Sequence, residues 1–385
     1  MLFTLEVLRA RHGDCLILHF GEPAAPRFLL IDGGPSGVYR DALRPRLDQL
    51  AARFAGGESL GIELIMVSHI DDDHVRGILD LSQALVEDPR TRPFEVKTLW
   101  HNAFDDLVEE DVRPLVAALS EAPARIAEAG GRSSPWRGDA EAVIASVDQG
   151  RQLRDNAKVL AWPPNRPFER FVVAPEAGGK RVDFGPLRLA VVCPLQPQLD
   201  QLEREWREKV RRLRETADAK EAAEIAEYLD TSVYNLSSIV CLAELGGKRI
   251  LLTGDARGDH ILAGLEAAQL LAGGRIEVDV LKLPHHGSDR NIDQDFFERI
   301  RARHYVVSGN GEHGNPEPET FRLLSTARHD DDFALHLTYE DCKEGVGEKL
   351  AQFFADERRA GRSYGIEFRA DDESSLHVDL LDPLA

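Results

Sequence analysis

The chain has 385 residues and a formal net charge of −20 at pH 7. Its hydrophobic content of 43% is enough for a sizeable buried core, which excludes a globally disordered chain. The acidic balance argues against broad, non-specific attraction to a nucleic-acid backbone. It does not exclude a nucleic-acid enzyme, because divalent cations bound at an acidic site reverse the charge locally.

Cysteine spacing and the N-terminal sequence bear on where the protein is found. Cys15, Cys193, Cys241 and Cys342 lie far apart and form no CxxC pair, so neither a disulfide framework nor a zinc knuckle is predicted. The N-terminus has no basic segment followed by an apolar stretch, and no run approaches the ~20 apolar residues needed to cross a bilayer. We therefore expect a cytoplasmic protein without a membrane partner.

The N-terminal region alternates β-rich runs with turns. Tyr39–Phe54 has the leucine spacing of an amphipathic helix. The last predicted strand of this region leads directly to Ser68-His69, and polar side chains at a strand end are typical of α/β proteins. Strands are predicted at Leu2–Leu8, Cys15–Phe20, Arg27–Ile31 and Ile62–Val67.

The rest of the chain continues this α/β pattern and carries two helical insertions, at about 104–165 and 199–229. The second is highly charged, and we interpret it as a solvated helical segment or, alternatively, as a lid or an arm that binds a protein partner. The absence of repeats and low-complexity linkers favours a single domain over residues 1–385. Further strands are predicted at Glu95–Trp100, Leu187–Cys193, Ser237–Glu244, Arg249–Thr253, Val278–Leu283, His304–Ser308, Phe333–Tyr339 and Leu376–Leu381.

The densest group of metal-type ligands is the segment His69-Ile70-Asp71-Asp72-Asp73-His74. It offers two imidazoles and three carboxylates in one short loop after a strand. Three carboxylates packed so closely raise one another's pKa unless a cation is present. A metal ion removes that conflict and binds carboxylate and neutral imidazole. The alternative is a solvated acidic turn.

Two later segments place the same kinds of residue after apolar strands. Asp255 follows Leu251-Leu252-Thr253-Gly254, where it could bridge two ions or cap a turn. His285 and His286 follow Leu281–Pro284, which favours one ligand and one neighbour that touches substrate. Neither segment is decisive alone, but together with the first they predict a composite metal site.

The order of these motifs, SHIDDDHVRG, LLTGDA and LKLPHHGSDRN, resembles that of the metallo-β-lactamase superfamily. It is similar in particular to the ComEC-like branch, the hydrolase domain of DNA-uptake competence proteins. His12-Gly13-Asp14-Cys15 and the turn Ile31–Gly34 match two further motifs of that branch. The resemblance extends from about Arg11 to Pro318 and implies a four-layered αββα sandwich with the two helical insertions added to it.

The superfamily pattern HxHxDH implies the metal ligands. One ion would bind His69 and Asp71, with Asp255 as the bridging carboxylate. Asp71 replaces a histidine, and this extra oxygen ligand shifts the preference from zinc toward harder ions such as Mn²⁺. The third imidazole of this first site has no clear match. His101 is a candidate, and an exposed or packing histidine is the alternative.

A second ion would bind Asp73, His74 and a histidine of the His285-His286 pair. We favour His285 because it comes first after the strand. The cofactor predicted from the resemblance is thus one or two divalent ions, zinc or manganese.

Two other loops contain further site candidates. In Ser308–Pro316, Asn315 stands where the branch has a histidine, and His313 lies two residues earlier. Asn235 precedes a buried strand together with Ser237, where local turn hydrogen bonds explain these residues nearly as well.

The predicted activity is hydrolysis by a metal-activated water, with Asp73 orienting the water and with His286 or His313 stabilising the leaving oxygen. The motifs GxSxG and GxxxxGK[ST] are absent. The ComEC-like resemblance favours a phosphodiester substrate, including DNA or RNA. The alternatives are a thioester, lactone or β-lactam hydrolase on the same fold, and a non-catalytic metal-bound protein whose helical insertions bind a partner.

Overall fold

The computed structural model describes residues 1–88, 93–103, 136–175, 179–216, 237–329, 331–362 and 364–383. Asn235 lies outside this part of the chain, as do much of the predicted insertion at 104–165 and the end of the one at 199–229. Among the described residues, no helix combines the length and the apolar character needed to cross a bilayer.

The first sheet has six strands, and its centre is built from the N-terminal meander. The runs predicted at Leu2–Leu8 and Arg27–Ile31 are both strands, and each pairs antiparallel with the strand that lies between them. Two short strands then add in parallel, so that the third and fifth strands end at the same edge. The order is β16-β1-β2-β3-β5-β7, with β1 Leu2–Leu8, β2 Leu16–Glu22, β3 Ala25–Ile31, β5 Leu64–Met66, β7 Leu99–Trp100 and β16 Ser375–Asp379.

The second sheet has eight strands in the order β15-β14-β13-β12-β11-β10-β9-β8. The strands from β8 to β11 pair antiparallel, and those from β11 to β15 pair parallel. The predicted hairpin around Gly246-Gly247 is confirmed as β10 and β11. Its strands are β8 Lys180–Phe184, β9 Leu187–Cys193, β10 Val240–Leu245, β11 Lys248–Leu252, β12 Ile276–Lys282, β13 Ile300–Val307, β14 Ala334–Leu337 and β15 Gly365–Phe368.

Helices cover the outer faces of both sheets. Near the first sheet a short π-helical turn, Tyr39–Leu43, leads into α1, which confirms the helix predicted over this region. The two predicted insertions contain α3 and α4 in their described parts. The helices are α1 Arg44–Phe54, α2 Asp72–Glu87, α3 Trp136–Val159, α4 Gln196–Thr216, α5 Gly258–Ala267, α6 Gln294–Arg299, α7 Pro318–Ala327 and α8 Val346–Arg359.

Three apolar clusters define four layers. One lies between the sheets, where residues such as Leu5 of β1 meet residues such as Leu189 of β9. A second packs α1, α2 and α3 on the first sheet, and a third packs α5 to α8 on the second. The predicted αββα sandwich is therefore confirmed.

Two strands predicted as continuous are each divided. Ile62–Val67 forms β4, Leu60–Ile62, and then β5, while Glu95–Trp100 forms β6, Phe94–Val96, and then β7. β4 and β6 pair with each other in a separate two-stranded sheet. The break falls at Glu63, a buried carboxylate that accepts hydrogen bonds from Arg27 and Lys97. These partners turn the chain because a buried charge must be paired.

Candidate metal centre

The centre lies at the carboxyl ends of strands from both sheets. His69 follows β5, Asp255 follows β11, and His285 and His286 follow β12. Parallel strands end at a common edge, so their C-terminal loops converge, as expected for ligand sites in α/β proteins.

The segment from His69 to His74 is only partly a loop, in contrast to the prediction. Asp71 is the N-cap of α2, and its carboxylate accepts a hydrogen bond from the backbone N–H of Asp72. Asp73 and His74 therefore lie in the first helical turn, which orients them more rigidly than a loop would. A capping aspartate followed by acidic residues is also favoured by the helix dipole.

His69, His74 and Asp255 form the first compact group of ligating atoms. The Nε2 atom of His74 lies 3.2 Å from Asp255 Oδ1, and Nε2 of His69 lies 3.9 Å from Asp255 Oδ2. All three side chains are buried. Asp255 thus faces two imidazoles from the other half of the molecule, a position suited to a bridging carboxylate.

Asp73, His74 and His286 form the second group. His286 Nε2 lies 3.1 Å from Asp73 Oδ2 and 3.3 Å from His74 Nε2. Here the geometry differs from the expectation that favoured His285. His285 Nδ1 is instead 2.9 Å from Asn291 Oδ1, and its half-exposed ring reaches only to 3.8 Å from Asp255.

The backbone explains this reversal. His285 and His286 both adopt left-handed conformations, with φ of 50° and 54°. Consecutive left-handed residues turn the two rings to different sides, and such strained geometry is concentrated at functional sites. The ring directed into the group with Asp73 is that of His286, which the sequence assigned to substrate or to the leaving oxygen.

Asp71 lies near the centre, where its carboxylate interacts electrostatically with Asp73, His74 and Asp255. None of the compact groups of ligating atoms among the described residues includes it. Burial and the charge of Asp73 raise its pKa to about 8. A cation nearby would relieve this repulsion, because it favours the ionised carboxylate.

The histidines differ strongly in basicity. Burial and the neighbouring His74 lower the pKa of His69 to about 3. Burial also opposes protonation of His74 and His286, but Asp255 and other carboxylates outweigh it. They raise the pKa of His286 to about 10, and that of His74 well above its usual value. The centre therefore attracts positive charge, whether protons or a cation.

Sequence analysis did not assign roles to two carboxylates that hold the ligating histidines. Asp32 Oδ2 lies 2.9 Å from His74 Nδ1 and accepts a hydrogen bond from the Ser68 hydroxyl, while Asp32 Oδ1 accepts one from the Ser68 backbone N–H. Asp14 Oδ1 lies 3.4 Å from His286 Nδ1. Both occur in the Gly-Asp and Asp-Gly-Gly motifs of the family resemblance, which were the available signal. A carboxylate behind a histidine fixes its tautomer.

The third imidazole proposed for the first ion is held elsewhere. His101 is buried at the end of β7, and its Nε2 atom lies 3.1 Å from the Gly150 carbonyl in α3. Neither compact group of ligating atoms found among the described residues contains it. Its position matches the packing alternative better than the ligand one.

The late loop lies beside the centre. His313 is exposed, has φ of 65°, and meets the ring of His12 edge to face at 5.0 Å. Glu312, held by Lys343, lies 3.4 Å from His12 Nδ1, and these partners lower the pKa of Glu312 to about 2. Sequence analysis overlooked this His12–Glu312 contact, since 300 residues separate its members. Asn315 donates a hydrogen bond to the His285 carbonyl.

The family model of the metallo-beta-lactamase superfamily matches residues 27–311. The motifs of this superfamily implied an αββα sandwich, and the structure has that architecture with histidines and aspartates at its strand ends. The chain belongs to the metallo-beta-lactamase superfamily.

Known relatives cover only parts of the chain. Microtubule-associated protein 1A of Rattus norvegicus is 41% identical over 64 residues, 15% of this chain and 2% of that protein. ComE operon protein 3 of Bacillus subtilis (strain 168) is 29% identical over 97 residues, 25% of this chain and 12% of that protein. The latter match supports the predicted ComEC-like branch. The chain thus corresponds to a small fraction of these relatives' lengths.

Among solved structures, the metallo-beta-lactamase fold protein YhfI from Bacillus subtilis aligns over 98% of this chain and 100% of its own. The sequence identity is 9% and the TM-score is 0.40.

Proposed function

We propose that this metallo-beta-lactamase superfamily protein is a phosphodiesterase that cleaves a nucleic acid or a smaller phosphodiester with two divalent ions. Superfamily membership supports a metal-dependent hydrolase in general. The observation that carries the narrower proposal is the abundance of carboxylates in the centre. Carboxylate oxygens favour hard ions such as Mn²⁺, which suit phosphoryl oxygens.

The charge of the buried region supports two ions. Five carboxylates face the centre or its histidines, and one ammonium group, that of Lys282, opposes them. With the histidines neutral, four negative charges remain, which two divalent cations balance. The carboxylates are Asp14, Asp32, Asp71, Asp73 and Asp255.

The two compact groups support a ligand set for each ion. His69, His74 and Asp255 would hold one ion, and Asp73 and His286 would hold the other together with His74 or Asp255. When bound, such ions lower the pKa of a water molecule from ~16 toward ~7, which provides a nucleophile at neutral pH. Asp71 uses Oδ1 as the cap of α2 and keeps Oδ2 for an ion, so it stays a candidate ligand.

The chain's own residues would then orient the reactants. Asp73 would orient the attacking water in line with the phosphorus atom. The leaving oxygen would lie toward the rim, where His12 and His313 present imidazoles and Glu312 lies 3.4 Å from His12 Nδ1. His313 keeps the leaving-oxygen role predicted from the sequence, while the position of His286 beside Asp73 makes it a ligand.

The test uses metal-free protein reloaded with Mn²⁺ or Zn²⁺, assayed on bis-p-nitrophenyl phosphate and on single- and double-stranded DNA. Asp73→Asn and Asp255→Asn should lower cleavage at least about 100-fold, as loss of a group that stabilises the transition state does. Asp72→Asn is the matched control, because Asp72 binds Gln149 at 2.7 Å and joins neither group. This control should cleave like the wild type.

Tight ion binding without cleavage of either phosphodiester would reject the proposed substrate class. The same loaded protein would then be assayed on thioesters, lactones and β-lactams. Equal losses in Asp72→Asn would instead show that the effect of Asp73→Asn arises from general damage to α2.

A further inference from the structure

A completely buried lysine lies beneath the metal centre. Lys282 is the last residue of β12, and its ammonium group lies 2.8 Å from Asp14 Oδ2 and donates to the Leu283 carbonyl at 3.0 Å. Both side chains of the pair are 1% exposed. Apolar residues of similar size often serve stability as well as a buried ion pair does, because desolvation offsets the attraction. The location of the pair therefore needs another explanation.

Asp14 contacts the centre in two ways. Its Oδ1 atom lies 3.4 Å from His286 Nδ1, on the side of the ring opposite to the nitrogen that faces Asp73 and His74. Its backbone N–H donates to the Asp73 carbonyl at 3.2 Å. The preceding residue must be small, since a Cβ on Gly13 would lie 2.1 Å from that carbonyl. The turn at 13–14 thus contacts Asp73 and His286, the two residues that belong to the second group of ligands and not to the first.

The Asp14 carboxylate is held from two strand ends. Lys282 binds one oxygen from the end of β12, and the Ser308 hydroxyl after β13 donates to the other. These two donors fix the orientation of the Asp14 carboxylate.

We propose that Lys282 and Asp14 form a positioning pair for His286. Lys282 fixes the Asp14 carboxylate, and the Asp14 charge, 3.4 Å from His286 Nδ1, keeps the proton on that nitrogen, so that Nε2 is presented to the ion shared with Asp73. Neither residue touches substrate. This role rests on the metal centre of the proposed function but not on its substrate class.

The test is a calorimetric titration with Mn²⁺, together with the absorption spectrum of the Co²⁺ form. Asp14→Asn and Lys282→Met should each weaken the binding of one ion 10–100-fold, as the loss of a partner behind a ligating histidine typically does. The other ion, held by His69 and Asp255, should bind as in the wild type. In the Co²⁺ spectrum, the absorption bands of the ion bound by Asp73 and His286 should change, and those of the other ion should not.

The double variant Asp14→Asn/Lys282→Met controls for misfolding, because it removes both charges of the buried pair and leaves neither unpaired. It should fold and show the affinity loss of Asp14→Asn alone. Glu6→Gln is the control for stability: it alters another fully buried carboxylate, which pairs with His19 and Arg46 beneath α1. We expect this control to keep both ion affinities.

Wild-type affinities in the folded Asp14 and Lys282 variants would show that the pair is only structural. A similar loss in Glu6→Gln would also overturn the proposal, because it would trace the effect to stability. A wild-type protein that binds no ion would refute the metal centre and the pair's role with it. Ion binding as predicted, without phosphodiester cleavage, would reject only the proposed substrate class.

Discussion

His285 and His286 show how two adjacent identical side chains acquire different roles. His286 is buried against Asp73 and His74, whereas His285 is half-exposed and bound to Asn291. The consecutive left-handed conformations separate the rings, and no periodicity in the sequence encodes such a turn. The sequence alone therefore does not distinguish the positions of the two rings.

We expect His286→Ala to reduce the bound metal from two ions to one, because it removes a nitrogen from the group with Asp73. His285→Ala should retain both ions, since the Nδ1 atom of His285 lies 2.9 Å from Asn291 Oδ1 and the ring belongs to neither compact group. Elemental analysis after gel filtration in trace Mn²⁺ measures the stoichiometry. The opposite pattern would return the ligand role to His285.

Helix α2 is placed by an unusually close backbone contact. The Gly77 Cα lies so near the turn after β3 that a Cβ there would be 1.9 Å from the Gly33 carbonyl oxygen. The backbone N–H of Gly33 also donates to the His74 carbonyl at 2.7 Å. This contact fixes the first turn of α2, and with it the positions of Asp73 and His74.

Gly77→Ala should accordingly lower the free energy of unfolding by about 1–3 kcal/mol, the usual range for overpacking. It should also weaken ion binding, because the helix must move away from Asp255. Urea unfolding and Mn²⁺ titration measure the two effects. Gly61→Ala, in β4, is the control, since a Cβ there meets nothing within 4 Å. Ion binding that survives in Gly77→Ala would show that the contact does not position the ligands.

The elements predicted from the sequence were those whose local signals agree with the tertiary structure. The hairpin at Gly246-Gly247 and the strands at Leu2–Leu8 and Leu187–Cys193 match the structure, because apolar runs and turn residues there point to the same result. The division of Ile62–Val67 escaped prediction because it depends on Arg27 and Lys97, which are distant in sequence. Local patterns contain no information about such partners.

The candidate site follows the same division. The clustering of His69, Asp73, His74 and Asp255 was predicted from motifs at strand ends, and these residues do lie together. The orienting contacts of Asp14 and Asp32, and the meeting of His12 with Glu312, join loops from opposite ends of the chain. A single sequence displays the motifs but not which of them meet.

The metal centre joins the two halves of the sandwich. Asp73 and His74 come from the helix beside the first sheet, whereas Asp255 and His286 follow strands of the second. Without cations, burial and the neighbouring charge of Asp73 raise the pKa of Asp71, and a bound ion would relieve both effects. Bound ions should therefore stabilise the whole molecule rather than one loop.

We expect Mn²⁺ at 100 times its dissociation constant to raise the free energy of unfolding by about 2.7 kcal/mol over the chelator-treated protein. In Asp255→Asn this gain should largely disappear, because the variant lacks the carboxylate that faces His69 and His74 from the second sheet. The chelated variant should be less stable than the chelated wild type, because without an ion the Asp255 carboxylate pairs with His74 and His286, whose pKa values it raises. Urea unfolding of both proteins, with Mn²⁺ and with chelator, gives the four values. A chelated variant as stable as the chelated wild type would mean that Asp255 contributes to the fold only through a bound ion.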